Sequence, residues 1–189
     1  MKKGFTLLEL LIVIGIMAVL VTAATIVLNP AELLKQARDA QRLSDLDAIK
    51  TAIALHLATA ASPDVNFGLI GLVVKCTVAT TSPFTGTGNG CGSGLATSSR
   101  VVTGGGWVAV NLTDVAGGVA PLGVLPIDPV ANNADYQYAY AGNDTTNVFE
   151  INTRMESTKY GSGTMNKMLN VNDGGSNDNW YEVGTSLTL

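Results

Sequence analysis

The sequence has few charged residues and very little histidine or cysteine. Only 14% of its 189 residues are charged, and it has one histidine and two cysteines. These are too few Cys and His ligands for a zinc site. The 11 basic residues are scattered along a chain of net charge −4. Because no stripe of Lys and Arg is present to neutralise a phosphate backbone, we predict no specific nucleic-acid binding.

Catalytic motifs are also missing. The sequence contains no GxSxG, HExxH or Walker pattern. Its one histidine, His56, lies between Leu55 and Leu57 and has no evident nucleophile or acid partner. The alternating glycines of residues 86–94 do not match a GxGxxG phosphate loop. We therefore predict that the chain is not an enzyme and that His56 is structural or exposed.

Hydrophobic residues, by contrast, are abundant and concentrated. They form 47% of the chain, and mean hydropathy is +0.29. Between Phe5 and Leu28, 19 of 24 residues are apolar and only Glu9 is charged. As a helix this run would be roughly 36 Å long, enough to cross a hydrocarbon core of about 30 Å. One membrane segment and one modest domain are predicted, which excludes both intrinsic disorder and a multi-span membrane protein.

The start of the chain favours an anchored helix over a cleaved signal. Lys2 and Lys3 precede the apolar run and predict a cytoplasmic N-terminus. The alternative is a secretory signal peptide cleaved near residues 22–24. Against it, the run is longer than a usual signal core and contains Glu9. A carboxylate in lipid costs up to about 3 kcal/mol without a partner, so Glu9 is predicted to be functional.

Residues 2–10 read KKGFTLLEL. This stretch resembles the N-terminus of type IV prepilins and of type II secretion pseudopilins. The resemblance covers about the first 30 residues and implies that prepilin peptidase cuts between Gly4 and Phe5 and that the new N-terminus is methylated. It also implies that Glu9 is the family's assembly glutamate, and that inner-membrane assembly machinery is a partner.

The physical chemistry of the cleaved chain agrees with this role. Cleavage after Gly4 would leave an α-amine at Phe5, one helical turn from Glu9. A neighbouring copy could bring its own amine to Glu9, so that two costly charges neutralise each other. Such pairing needs staggered subunits, and heterologous contacts that do not close produce filaments. A helical homopolymer is therefore predicted.

A second helix is predicted to continue the first. Asn29 and Pro30 are typical of a helix start, as N-cap and first helical residue. Apolar residues then recur at spacings of three and four, which predicts one buried helical face. These residues are Leu43, Leu46, Ile49, Ile53 and Leu57.

The following region, 61–106, is rich in Gly, Ser and Thr, which predicts a loop-dominated connection. Cys76 and Cys91 lie in it and are an even number in a chain that is predicted to be exported. A disulfide is therefore expected, worth on the order of 3 kcal/mol by the chain-entropy model.

The remainder of the chain has strand patterns. Strands are predicted at 107–112, 136–140, 148–155 and 181–189. The fold class is therefore α+β, a long N-terminal helix packed on a small antiparallel sheet, which resembles the pilin fold. The predicted segments are a leader 1–4, an assembly helix 5–28, its amphipathic continuation 29–60, the connection 61–106 and a sheet head 107–189. The LPIDP sequence of residues 125–129 is similar to the LPxDP stretch of major pseudopilins.

The loop of residues 170–182 is a candidate calcium site. It is rich in Asn and Asp around Gly174 and Gly175, and oxygen ligands of this kind suit calcium. A solvated turn is the alternative. Major pseudopilins carry calcium in a C-terminal loop, so the resemblance favours a structural Ca²⁺, with Asp173 and Asp178 as its predicted ligands.

Three functions are compatible with these patterns. The first is a type IV pilin, stored in the inner membrane and assembled into an extracellular pilus. The second is a major pseudopilin of a type II secretion or competence system, which builds a periplasmic pseudopilus. The third is a membrane-tethered extracellular binding domain, for which Glu9 would have no use.

Overall fold

The computed structural model describes residues 4–69, 71–79, 83–84, 91, 96–130, 133, 135–161 and 169–189. The predicted leader lysines, Lys2 and Lys3, lie outside this range. The chain divides into two compact units, residues 1–35 and 36–189, which are considered separately below. The helices are α1 (Leu7–Leu28), α2 (Pro30–Thr59) and α3 (Leu169–Asn172); the strands are β1 (Leu72–Cys76), β2 (Tyr138–Asn143), β3 (Val148–Thr153) and β4 (Tyr181–Gly184).

The first unit contains the boundary between α1 and α2. Asn29 ends α1 in the left-handed conformation, with φ 39°. Its side-chain oxygen and its carbonyl oxygen accept hydrogen bonds from the backbone N–H of Glu32, at 3.4 and 3.0 Å. Pro30, which has no N–H to satisfy, begins α2. The helix restart predicted at these residues is confirmed.

The second unit contains an antiparallel sheet in the order β1-β2-β3-β4, in which each strand pairs with the next along the chain. The α+β class is confirmed. The main core includes one face of this sheet and the apolar stripe of α2. Leu46, Ile49 and Ile53 are fully buried in one cluster with residues of β2 and β3, namely Tyr138, Tyr140, Phe149 and Ile151.

The predicted strands differ from the structure in several places; β2, for example, covers Tyr138–Asn143 where 136–140 was predicted. The run of residues 107–112 is not a strand, although Trp107–Val110 is buried in the main core. Its apolar pattern reflects packing, and among the described residues an isolated bridge joins Asn111, within the run, to Thr103. Conversely, β1 lies inside the stretch 61–106 that was predicted to be a connection. Five residues in a Gly- and Ser-rich background are too short to give a clear alternating pattern.

The other face of the sheet, which we call the outer face, is also covered. Val74 and Cys76 of β1 and Ala139 and Ala141 of β2 form a second buried cluster with Phe84 and Cys91. The predicted Cys76–Cys91 disulfide is confirmed and joins β1 to Cys91, which with Phe84 covers this face. Cys76 thus lies within the sheet, whereas the sequence placed both cysteines before it. The glycines of residues 86, 88, 90, 92 and 94 lie outside the described residues.

The last strand is shorter than predicted, because β4 ends at Gly184 instead of reaching Leu189. Thr185 donates its backbone N–H to the carbonyl of Phe149. The N–H of Leu189 donates to the carboxylate of Glu150 at 2.9 Å, and its side chain packs against the second cluster. The final residues therefore lie against the outer face of the sheet.

Candidate processing and assembly site

The predicted cleavage point lies in accessible chain. Residues 4–6 precede α1 and have no regular secondary structure. A Cβ atom placed on Gly4 would meet nothing within 4 Å, and the Phe5 side chain is 76% exposed. A peptidase needs an exposed backbone, and Gly4 and Phe5 are both exposed.

Glu9 is bonded to the residue that caps its helix. Its Oε2 accepts hydrogen bonds from the backbone N–H and the hydroxyl of Thr6, at 2.9 and 2.8 Å. The N–H of Glu9 in turn donates to the Thr6 hydroxyl oxygen at 3.3 Å. This reciprocal capping box sets the carboxylate at the positive end of the helix dipole.

The role of Thr6 was missed from the sequence. Its signal was present, because Thr6-Leu7-Leu8-Glu9 is an [ST]-x-x-[DE] pattern before an apolar run. The resemblance to prepilins concerns Glu9 and the cleavage point and does not itself predict the cap. The geometry brings Phe5, Thr6 and Glu9 together at one helix end.

The rest of α1 offers an apolar surface. None of its residues is buried. Its two C-terminal threonines satisfy their hydroxyls within the helix: Thr22 donates to the Ala18 carbonyl and Thr25 to the Thr22 carbonyl. By length and composition, one helix among the described residues is suited to crossing a membrane. The apolar helix and its single charged residue, Glu9, together indicate membrane insertion.

A separate, buried ionic cluster holds α2 within the second unit. Arg42, on α2, donates two hydrogen bonds to Asp128, at 2.6 and 2.8 Å, and one to Asp39 at 2.7 Å. Arg42 and Asp39 are completely buried. Burial lowers the pKa of Arg42, but its bonds to the two carboxylates outweigh this and raise that pKa overall. Arg42 therefore stays charged inside the protein.

The same cluster reaches the segment after β3. Asp39 accepts backbone N–H groups from Glu156 and Ser157, the latter at 2.8 Å. Arg38 pairs with both carboxylate oxygens of Glu156, and this pairing lowers the pKa of Glu156. The cluster thus ties one helix to two distant loops.

The LPxDP-like sequence is one of those loops. Leu125 lies in the main core, and its carbonyl accepts the Arg100 side chain at 2.6 Å. The carbonyl of Pro126 accepts the indole N–H of Trp107 at 2.9 Å. Asp128 closes the loop onto α2 through Arg42. Arg42 lies one helical turn before Leu46 of the apolar stripe, so its buried charge needs a partner, which Asp128 supplies.

His56 is structural. Its Nδ1 is 2.9 Å from the carbonyl oxygen of Asp114, and its Nε2 accepts the backbone N–H of Asp64 at 3.2 Å. Nδ1 must therefore be the protonated nitrogen that donates to Asp114. Both ring nitrogens are bonded to main-chain groups in a buried position.

The predicted calcium ligands differ in their surroundings. The two oxygens of Asp173 accept the backbone N–H groups of Gly175 and Glu182, at 2.9 and 2.8 Å. Asp178 is exposed, and its carbonyl accepts the side-chain amide of Asn170. Within the described part of the chain, no group of three or more His, Cys, Asp or Glu side chains is placed to hold a metal ion. Calcium binding stays a prediction.

Comparison with known proteins identifies the N-terminal segment. Residues 1–25 match the family description "Prokaryotic N-terminal methylation motif". No curated protein and no solved structure matches the chain. The motif supports a type IV pilin-like or pseudopilin precursor, and families of this kind are structural. The match stops at residue 25, so it does not distinguish a pilus from a pseudopilus.

Proposed function

We propose that the chain is the structural subunit of a type IV pilus, cut by prepilin peptidase between Gly4 and Phe5 and polymerised through α1. The observation that carries the proposal is the methylation motif on a helix whose only charged residue is Glu9. A membrane anchor alone gains nothing from a carboxylate in lipid, whereas an assembling helix can use it to select its neighbour.

The geometry at the helix end supports a stepwise use of Glu9. Among the described residues, both Thr6 donors bond to Oε2 of Glu9. This leaves Oε1 for a second donor, and the methylated amine of Phe5 in a neighbouring copy has the right charge. In the unassembled subunit, Thr6 reduces the cost of holding the carboxylate in lipid. In the filament, the neighbouring amine neutralises it.

The second candidate is a major pseudopilin, which would use the same helix in a shorter periplasmic assembly. The observation that favours it is the LPxDP-like loop, in which Asp128 and Leu125 hold the head together. The Cys76–Cys91 disulfide favours a pilus, because an extracellular surface benefits from covalent stabilisation. In both candidates the precursor resides in the inner membrane before assembly.

Replacing Glu9 tests the assembly role. Glu9→Leu is expected to leave membrane insertion unchanged and to abolish filaments in sheared cell-surface or periplasmic fractions viewed by electron microscopy. Glu32→Gln, which changes an acid at the start of α2, is the matched control and should assemble. Normal filaments from Glu9→Leu would contradict the proposal.

Mass spectrometry of the mature N-terminus tests processing independently. The proposal expects a chain that begins at methylated Phe5. A chain that begins near Thr25 would indicate a secreted protein with an ordinary signal peptide. Long surface filaments would favour the pilus, and short periplasmic assemblies would favour the pseudopilus.

A further inference from the structure

Two short stretches of the chain match the acceptor pattern of N-linked glycosylation, Asn-X-Ser/Thr with X other than proline. They are Asn111-Leu112-Thr113 and Asn143-Asp144-Thr145. Because the pattern accepts either Ser or Thr, the hydroxyl that these two residues share is what it requires. A pattern of three residues also occurs by chance, so the setting of each asparagine in the fold decides whether it is available.

Asn143 lies at the tip of the hairpin formed by β2 and β3. It is the last residue of β2 and pairs with Val148, the first residue of β3. Residues 144–147 form the turn between them, and the last three residues of this turn are exposed. Asn143 and Asp144 are half-buried. The acceptor sequence therefore begins at the end of a strand and continues into an exposed turn.

The side-chain contacts of this turn leave both reactive groups available. Oδ1 of Asn143 accepts the backbone N–H of Thr145 at 3.0 Å. Among the described residues, the amide Nδ2 of Asn143 and the hydroxyl of Thr145 form no hydrogen bond. Nδ2 is the atom to which a glycan would be attached, and the hydroxyl is the group that the pattern requires. Both are therefore open to an enzyme.

The setting of Asn111 is different. Its Oδ1 accepts the backbone N–H and the hydroxyl of Thr113, at 3.2 and 2.6 Å, so this hydroxyl is already used. The central residue, Leu112, is 0% exposed in the main core, and its N–H donates to the carbonyl of Val102 at 2.8 Å. An enzyme that binds the three residues as an extended peptide would have to remove Leu112 from the core.

We propose that Asn143 is an acceptor site for an N-linked glycan and that Asn111 is not. The partner is an oligosaccharyltransferase, and the co-substrate is an oligosaccharide carried on a polyprenyl diphosphate. The inference rests on export of the head, which is part of the proposed function, and it does not depend on filament assembly.

The transfer needs only this one co-substrate. A bond forms between Nδ2 of Asn143 and C1 of the first sugar, and the bond between C1 and the diphosphate oxygen breaks. The polyprenyl diphosphate leaves with the electron pair of that bond, and the amide gives up one proton to a base of the transferase. Nothing is oxidised or reduced.

Transfer to the purified full chain in detergent tests the proposal. The transferase is one that glycosylates synthetic peptides of residues 107–116 and of residues 139–148, so that its own preference excludes neither sequence. With a lipid-linked oligosaccharide of known mass, peptide mapping by mass spectrometry should find the glycan on Asn143 of the folded chain. Asn111 should stay unmodified, because the core holds Leu112.

Substitutions at the hydroxyl give the matched controls. Thr145→Val keeps the backbone N–H that bonds to Asn143 and removes only the hydroxyl, so transfer should be lost. Thr145→Ser should retain transfer, and Asn111→Gln should leave it unchanged. A folded chain that accepts glycan at Asn111 as readily as at Asn143, or at neither site, would overturn the proposal.

A separate comparison keeps this inference distinct from the assembly role. Glu9→Leu should lose filaments and still accept glycan at Asn143. If Thr145→Val still accepts glycan at Asn143, the acceptor pattern is not what the enzyme reads and the inference is wrong, while the test of Glu9 is unaffected.

Discussion

Arg42 shows how much a single buried charge depends on its partners. Its guanidinium is fully buried and is paired with Asp128 and Asp39. Removing one partner of such a pair leaves an uncompensated charge inside the protein, whereas replacing the whole pair with apolar groups can be nearly neutral. The cluster therefore matters more for the arrangement of α2 and its loops than for net stability.

Asp128→Asn is expected to destabilise the head by about 3 kcal/mol, because Arg42 keeps its charge but loses a carboxylate. Urea unfolding followed by Trp fluorescence measures the effect. Arg38→Gln, which removes a half-exposed partner of Glu156, is the control and should cost about 1 kcal/mol or less. Comparable losses in the two variants would argue against a special role for the buried pair.

Glu182 predicts a loss of stability at alkaline pH. Its pKa is about 8 in the folded protein and about 4.3 in an unfolded chain. Between these values the folded state binds more protons, so stability should fall as pH rises from about 5 to 8 and level off above that. With these two pKa values, the wild-type unfolding free energy should drop by about 4 kcal/mol over this window.

Glu182→Gln should flatten that part of the profile, because the amide does not titrate. On the acid side the sign is opposite. Arg38 lowers the pKa of Glu156. The stability that the ionised Glu156 contributes should therefore be lost as pH falls below about 4. A Glu182→Gln profile that still declines between pH 5 and 8 would assign the effect to another group.

At the scale of elements, the two long helices were predictable, whereas the short α3 (Leu169–Asn172) and part of the sheet were not. The apolar stripe of α2 and the restart at Asn29 follow from local spacing and capping, which the sequence states directly. The formation of β1, and the failure of residues 107–112 to form a regular strand, depend on which segments pack next to each other in the folded chain. A short buried run is apolar whether or not it pairs as a strand, so its composition alone does not predict the pairing.

The functional and buried polar residues also differ in how far the sequence predicts them. Glu9 and the cleavage point follow from a contiguous motif at the start of the chain. The pairing of Arg42 with Asp128 spans 86 positions, and Glu150 and Glu182 meet only because β3 and β4 pair in register. Contacts between such distant residues leave no pattern in the local sequence. The position of Arg42 on the buried side of α2 nevertheless indicates that its charge has a buried partner.

The disulfide joins β1 to Cys91, which lies against the outer face of β1 and β2. Cys76 and Cys91 are both fully buried in the second cluster. The Cys76→Ala/Cys91→Ala double variant should lose about 2–4 kcal/mol of stability, measured by urea unfolding. Its unfolding should be insensitive to reductant, whereas wild-type unfolding should shift. If thiol labelling shows that the wild-type disulfide is fully reduced and the urea unfolding transition is still unchanged, this expectation is contradicted.

At the scale of the whole molecule, the distribution of charge changes on processing. Cleavage after Gly4 removes Lys2 and Lys3, so net charge goes from −4 to −6. The acids are concentrated toward the end of the chain, since residues 128–189 contain eight acidic and three basic residues. If copies assemble as proposed, each filament carries a repeated negative charge.

That charge predicts how filaments interact with one another. Like-charged filaments should stay dispersed in about 0.01 M salt, where the screening length is about 30 Å, and should form bundles above about 0.15 M, where it is about 8 Å. Light scattering and electron microscopy of purified filaments across this range measure the transition. The pI is about 4.8 for the uncleaved chain and lower once Lys2 and Lys3 are removed. Lowering the pH toward the pI of the mature chain should produce bundles even at low salt, because net charge then approaches zero. Filaments that bundle equally at all salt concentrations would show that short-range contacts, and not the acidic heads, govern their association.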